Sequence, residues 1–405
     1  MTHKKIFVQI AVIGILFFVI GFALGINTFL IPFLKKAFNV SSLQAYLILA
    51  SAYTSFVIFG YPSGKIVKKV GYKKSMTISF LFFAVGLFLY IPSANFQSFP
   101  LFLLASFISG MGNTLLQSAI NPYITILGPI ESAAKRISIM GILNKLAWAV
   151  APVFLGFFLD LKNVSLSDMT LPFLLITGIF IILCAISRFL PLPEIKIESE
   201  RTTEKLKEKN KTSKDGILQF PHLLLGVLAL FLYSGVEAIA LASIVDFATN
   251  LGVDHPERYG SYTVFAMIIG YIIGVLFIPK RLTQKKALQL CSYLGLITSL
   301  MICIVPISIS LYFVALLGLA NSLMWPTIWP LAIADLGEYT NEGSALLVMG
   351  IAGGAIIPLL FGWLADLQLL GNVASGMQMA YLICIPAYLY LLFFAIKGHS
   401  IRKML

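Results

Sequence analysis

Charge is what this chain has least of. Only 11% of its 405 residues are Asp, Glu, Lys or Arg, where a soluble domain carries roughly 25%. With 59% hydrophobic residues, it lacks the polar surface that water demands, and a bilayer is the expected solvent. Cysteine is scarce as well. Cys184, Cys291, Cys303 and Cys384 all fall within apolar stretches and show no metal-ligand spacing. That excludes a disulfide framework and a thiolate cluster, and leaves them as small packing residues. The four histidines, His3, His222, His255 and His399, sit at termini or at the ends of apolar runs. No metal and no cofactor is therefore expected. Without a nucleophile–base pair or a nucleotide-binding loop, an enzyme reading has no support.

What the chain does have is long apolar runs. At about 20 residues per crossing they make twelve spans, near 7–34, 43–64, 75–93, 100–127, 138–159, 171–191, 220–247, 260–279, 286–306, 308–334, 343–365 and 376–396. The first is too long, and lacks the small-residue cleavage site, to be a signal peptide. The net charge of +12 raises the question of nucleic acid, and its distribution answers it. With both termini inside, 24 of the 29 cations lie in cytoplasmic segments and 4 in outer ones, Lys145 alone being mid-span. This is the positive-inside bias of a membrane protein, so lipid is a partner and nucleic acid is not. The segment 192–218 is rich in both charge signs and has no apolar periodicity. It reads as a cytoplasmic linker between two halves of six spans, 1–191 and 219–405.

The halves echo one another. The run Asn113 to Pro122 returns, altered, as Asn321 to Pro330. Ala151-Pro152, Gly156 and Asp160-Leu161 are answered by Ile357-Pro358, Gly362 and Asp366-Leu367. Duplicated halves around an apolar body suit a transporter that rocks about a central site. Residues four apart share a helix face, so Asn113, Gln117 and Asn121 form one polar stripe, and its repeat-mate is Asn321, Trp325 and Trp329. Against lipid such a stripe is costly. A sugar ring needs hydroxyl partners and an apolar face to rest on, which an amide stripe opposite a tryptophan pair provides. The competing reading is interhelical hydrogen bonding for the amides and packing for the indoles.

Glu237 stands midway through the seventh span, one turn beyond Tyr233 and without a partner nearby in sequence. A carboxylate there must be paired, protonated or solvated, and proton acceptor or substrate ligand is its expected role. Lys145, beside Asn144, lies about 10 Å into the fifth span at about 1.5 Å per residue. It either snorkels to the headgroups, pairs with Glu237, or meets an anionic substrate. Asp246 is nearer the outer end and reads as a capping or rim residue. Asp335, Glu338 and Glu342 crowd the inner loop after span ten, within reach of the basic inner loops of the other half.

The loop Gly64 to Lys74, with Lys68, Lys69, Lys73 and Lys74, resembles the loop of the major facilitator superfamily that latches the inner ends of the halves. Here Val67-Lys68 stands where the superfamily normally has an Asp before its first basic pair. Within that superfamily several runs resemble the fucose–proton symporter family and its glucose/galactose branch: Asn27 to Pro32, Leu116 to Tyr123, Ile126 to Pro129, Tyr233 to Glu237, Pro326 to Ile328, and Gly353 to Pro358 with Ala365-Asp366. The resemblance implies sugar ligands at Gln117 and Asn144. It also carries departures. The family's proton-carrying span-one Asp falls on Thr28, the branch's span-eight Arg falls on Tyr271, and Lys145 replaces a small polar residue.

The expectation is thus an all-α protein of twelve transmembrane helices in two pseudo-symmetric halves, the major facilitator fold, in the inner membrane with both termini cytoplasmic. It would act as a monomer that moves a hexose-like solute by alternating access. Asn27, Gln117, Asn121, Asn144, Tyr233, Glu237, Asn321, Trp325 and Trp329 would line the site, and Glu237 would carry the proton. The alternatives are an organic anion, amino acid or carboxylate siderophore as cargo, in either direction, or a uniporter.

Overall fold

A computed structural model of the protein describes residues 3–126, 133–187, 217–278, 281–336, 343, 346–347, 349–368 and 371–402. Side chains are described throughout these except at 3–10, 61, 68, 121–126, 133–138 and 218. The expected linker at 192–218 lies outside the described residues but for the start of a 3-10 turn at Ile217–Gln219.

Every regular element among the described residues is a helix. In lipid, backbone N–H and C=O groups find no water, and a helix pairs them within one segment. The helices are α1 (His3–Ala37), α2 (Ser42–Ile58), α3 (Gly60–Val70), α4 (Tyr72–Asn95), α5 (Phe99–Ile126), α6 (Ala133–Gly156) and α7 (Thr170–Ser187). They continue with α8 (Pro221–Asn250), α9 (Tyr259–Phe277), α10 (Gln284–Ile304), α11 (Ile307–Asn321), α12 (Met324–Ile333), α13 (Gly353–Asp366), α14 (Val373–Ala380) and α15 (Cys384–Ile396). Among the described residues ten segments are long and apolar enough to cross a membrane, and Ser42–Ile58 and Gly353–Asp366 are shorter apolar helices. The twelve expected spans fall on these.

Several spans are interrupted where an unbroken run was expected: turns fall at 351–352 and a 3-10 turn at Tyr381–Ile383, and two further breaks bear on the centre. The second span ends at Ile58, and α3 restarts at Gly60. The basic segment expected as a loop is consequently helical over most of its length. Ile66, Val67 and Val70 turn one face of α3 inward while Lys65 and Lys69 stay exposed, and Ser63 Oγ meets Ser118 Oγ of α5 at 2.7 Å. Gly71, at φ 85°, makes the corner into α4, a conformation costly for a residue with a Cβ. Lys73 and Lys74 open α4, and the Lys68 side chain lies outside the described residues. The tenth span breaks at Ser322-Leu323. Pro326 has no N–H to return to Ser322, and it is tolerated because it falls in the first turn of α12.

Two groups of helices, α1–α7 and α8–α15, meet along three seams: α2 with α13, α6 with α9, and α1 with α8. At the end remote from the lysine-rich segments, the outer end by charge bias, these seams are shut. Asp366 reaches across from α13 to cap α2, accepting from Ser42 N–H at 2.7 Å and Leu43 N–H at 2.8 Å. Lys35 donates to Ser42 Oγ at 2.7 Å and stands 3.8 Å from Asp246 of α8. Asp246, expected as a capping or rim residue, lies toward the outer end but is buried, 1% exposed, and Asn250 donates to it at 2.9 Å. Tyr46 sets an edge against Phe361 at 5.6 Å. Lys162 hydrogen-bonds Asp254 across the groups at 2.7 Å and holds its carboxyl below the usual range. That pair is exposed and contributes little. At the inner end Asp335 pairs with Arg402 at 3.2 Å within its own group and is 76% exposed, nearer to a solvated loop charge than to a bridge between the groups. Glu338 and Glu342 lie outside the described residues.

The cap on α2 makes a prediction. Ser41 is the N-cap of α2, and losing the added carboxylate on its first N–H groups costs about 1 kcal/mol, roughly a fivefold change in a two-state ratio. Asp366→Ala should therefore enlarge the outward-open population about fivefold. Spin labels at Asn95 and His255, exposed outer positions in the two groups, would report it as a longer distance component. An unchanged distribution would show that the cap does not hold the seam.

Candidate functional site

The centre of the molecule is assembled by α6 and α8, with α1 and α12 behind them. α1 packs so closely on α6 that a Cβ at Gly21 would fall 1.9 Å from the Asn144 carbonyl oxygen. This contact, tolerable only with no side chain, brings Thr28 to Trp148, whose indole N–H donates to the Thr28 hydroxyl at 2.9 Å. Asn144 donates to the Phe17 carbonyl at 3.1 Å, so its amide ties α6 to α1.

Lys145, one residue on, does not snorkel. It is 7% exposed, and its ammonium stands 3.1 Å from Glu237 Oε1 of α8. The Tyr233 hydroxyl donates to the same oxygen at 2.5 Å, and the Lys145 ammonium lies 5.2 Å from the Trp148 ring centre. A buried pair recovers its desolvation only when geometry is good and other hydrogen bonds are met; here the Tyr233 hydroxyl supplies one such bond, to the carboxylate. Tyr53 of α2, Tyr271 of α9 and Tyr388 of α15 lie within electrostatic reach of Glu237. From Tyr233 an aromatic row runs within the second group: Trp325 at 6.3 Å, and Trp329 a further 5.5 Å on, its ring tilted 30° from that of Trp325.

The amide stripe divides. Gln117 donates to Asn113 Oδ1 at 2.9 Å and is partly exposed, as the sequence pattern anticipated. Asn121 is on α5, but its side chain lies outside the described residues. Asn27 and Asn113 line a small cavity among α1, α2, α4 and α5, of about 10 Å³, room for a single water. Asn27 Oδ1 and Asn113 Nδ2, which have no protein partner, belong to these two cavity-lining amides. Asn321 is fully buried and accepts from the Tyr388 hydroxyl at 2.9 Å, a bond between α11 and α15 within the second group. The structure thus joins Lys145, Glu237, Tyr233, Trp325 and Trp329; it sets Asn144 and Asn321 to helix contacts and Asn27 to the small cavity. Trp148 was not singled out from the sequence. Its one signal was its spacing of three from Lys145, which puts both on one helix face.

Removing one partner of a buried pair costs about 3 kcal/mol. Lys145→Ala should therefore lower the melting temperature of the detergent-solubilised protein, and Lys145→Met with Glu237→Gln should restore it. Equal melting of all three would mean the pair contributes nothing to stability.

The Major Facilitator Superfamily profile matches residues 13–357. The chain is 32% identical over 397 residues to the glucose/galactose transporter of Brucella abortus biovar 1 (strain 9-941), covering 95% of this chain and 92% of that one. It is 26% identical over 400 residues to the L-fucose-proton symporter of Escherichia coli (strain K12), covering 92% and 90%. Among solved structures, that of the fucose:proton symporter FucP in the outward conformation aligns with a TM-score of 0.69 at 23% identity, over 96% of this chain and 98% of that one. That likeness speaks to the fold.

Proposed function

The chain belongs to the Major Facilitator Superfamily, and on that premise we propose that this membrane transporter moves a sugar-like solute by alternating access, driven by protons through Glu237. Its two halves, 1–191 and 219–405, would rock about the centre with the segment 192–218 as their link. The observation that carries the reading is the Lys145–Glu237 pair, 3.1 Å apart. It joins the two helix groups at mid-span and is flanked by the aromatic row. A pyranose ring has an apolar face that suits Trp325 and Trp329, and hydroxyls that suit Gln117, Asn121 and Tyr233. The names of the relatives, a glucose/galactose transporter and an L-fucose-proton symporter, support both the sugar and the proton.

The outer seams are built of a helix cap, an aromatic edge and ion pairs, each separable. Opening them while the inner ends close would expose the centre to the outside, and reversal would deliver the solute inward. We further assign the protein to the inner membrane as a monomer with both termini cytoplasmic, and Lys69, Lys73 and Lys74 to the inner latch, joined by Lys68.

Reconstituted protein should accumulate a sugar when the outside is made acid. Glu237→Gln should lose at least tenfold of that gradient-driven uptake while still exchanging solute for solute. Full pH-driven accumulation by the variant would remove the proton from Glu237. For topology, a fluorescent protein fused after Leu405 should be bright in intact cells, as folding in the cytoplasm requires; a dark fusion that is still expressed would invert the orientation.

A further inference from the structure

The charge of the central site sums to zero only while Glu237 is ionised. Lys145 is 7% exposed, and among the described residues Glu237 is the one carboxylate in ion-pair contact with it. Lys145 from α6 and Tyr233 from its own helix touch Glu237, and Tyr53 from α2, Tyr271 from α9 and Tyr388 from α15 lie within electrostatic reach of it. Ordinary tyrosines are neutral at physiological pH, so none of these offers a second negative charge. If Glu237 took a proton and nothing else changed, Lys145 would be a lone ammonium inside the membrane with only the face of Trp148, 5.2 Å away, for company. A buried pair stripped of one partner is strongly destabilised, and a ring face compensates a cation only in small part.

A neutral sugar does not resolve this. Its hydroxyls solvate an ammonium and leave the charge in place. A carboxylate on the sugar cancels it. We propose that the cargo is an acidic sugar, a hexuronate or aldonate, whose carboxylate takes the place of Glu237 on Lys145 while Glu237 takes the proton. This rests on the transport reading above and names its substrate class. The bookkeeping closes. The empty site holds Lys145 and ionised Glu237, net zero. The loaded site holds Lys145, the substrate carboxylate and protonated Glu237, again net zero. The proton comes from the side the solute enters, is carried on a Glu237 carboxyl oxygen, and leaves with the solute on the other side. Half-loaded forms do not balance: proton alone leaves +1, anion alone leaves −1, and both are disfavoured in the membrane interior. Coupling of one proton to one carboxylate follows from this charge rule, with no further gate. The indoles of Trp325 and Trp329 would hold the ring, so a plain carboxylate lacking one would bind less well.

The test uses the full chain in liposomes, with labelled D-galacturonate, D-glucuronate, D-gluconate and D-galactose in counterflow and a pH indicator inside. Expected is exchange of at least one acidic sugar and, in net uptake into vesicles without internal solute, one proton entering with each molecule. At least tenfold weaker exchange of galactose is expected with it. Lys145→Met with Glu237→Gln keeps the pair uncharged, and should retain the wild-type melting temperature yet exchange no acidic sugar. If the wild type moves galactose with protons and exchanges none of the three acids, the cargo proposal is overturned and the transport reading stands. Acidic-sugar exchange by the double variant would overturn it too. If no sugar of either kind exchanges, both readings fall.

Discussion

One ion pair in a medium that cannot solvate ions sets the terms for the rest of this molecule. Lys145 and Glu237 come from helices far apart in sequence and meet at 3.1 Å, each the other's counter-charge among the described residues. The surrounding structure supports that meeting. Gly21 lets α1 press on α6, which brings Thr28 under the Trp148 indole. Trp148 in turn lies against the ammonium, and Tyr233 holds the carboxylate from its own helix. Each contact is modest. Together they fix both charges from several helices, as a site in low dielectric requires.

The contrast with the outer end is instructive. There the groups are joined by the Asp366 cap on α2, the Lys35–Asp246 approach at 3.8 Å and the exposed Lys162–Asp254 pair. The carboxylate at the start of α2 and the exposed Lys162–Asp254 pair are worth about 1 kcal/mol each or less, whereas Lys35 and Asp246 approach each other in surroundings as buried as the central pair. The outer end thus combines one buried approach with contacts that are exposed or single hydrogen bonds, while the centre rests on one buried pair. The closed outer seam is the expected resting face of a rocking transporter, with α6 and α8 joined at its centre.

Much of this was legible in the sequence, for reasons that also explain what was not. Apolar length locates a crossing because the backbone has no other option in lipid, and the expected spans all fell on helices. The same signal misses interruptions. The breaks at Phe59 and at Ser322-Leu323 depend on local backbone geometry that hydropathy averages away. Periodicity places Asn113 and Gln117 on one face, and they do bond to each other. It does not say which neighbour that face meets, so Asn321 was grouped with a cavity although it accepts from Tyr388. The pairing of Lys145 with Glu237 was among the sequence alternatives because buried charges need partners. Trp148 escaped because one more aromatic in an apolar run offers no contrast.

The two copies of the internal repeat have separated along chemical lines. One kept an amide chain through Asn113 and Gln117, and the other exchanged amides for the paired indoles of Trp325 and Trp329. A second asymmetry concerns charge. The family that the chain resembles places an acid where Thr28 stands and a small polar residue where Lys145 stands. Both positions here touch one indole, that of Trp148. Replacing an acid by Thr and a neutral residue by Lys moves the site by one positive charge each, in the same direction. An acid at Thr28 would have given Lys145 a second carboxylate nearby and left the centre net negative with Glu237 ionised. With Thr28 the centre is balanced when empty, and any change in the protonation of Glu237 must be matched by charge that arrives from outside. The altered pair of positions thus acts as a single change in what the centre asks of its cargo.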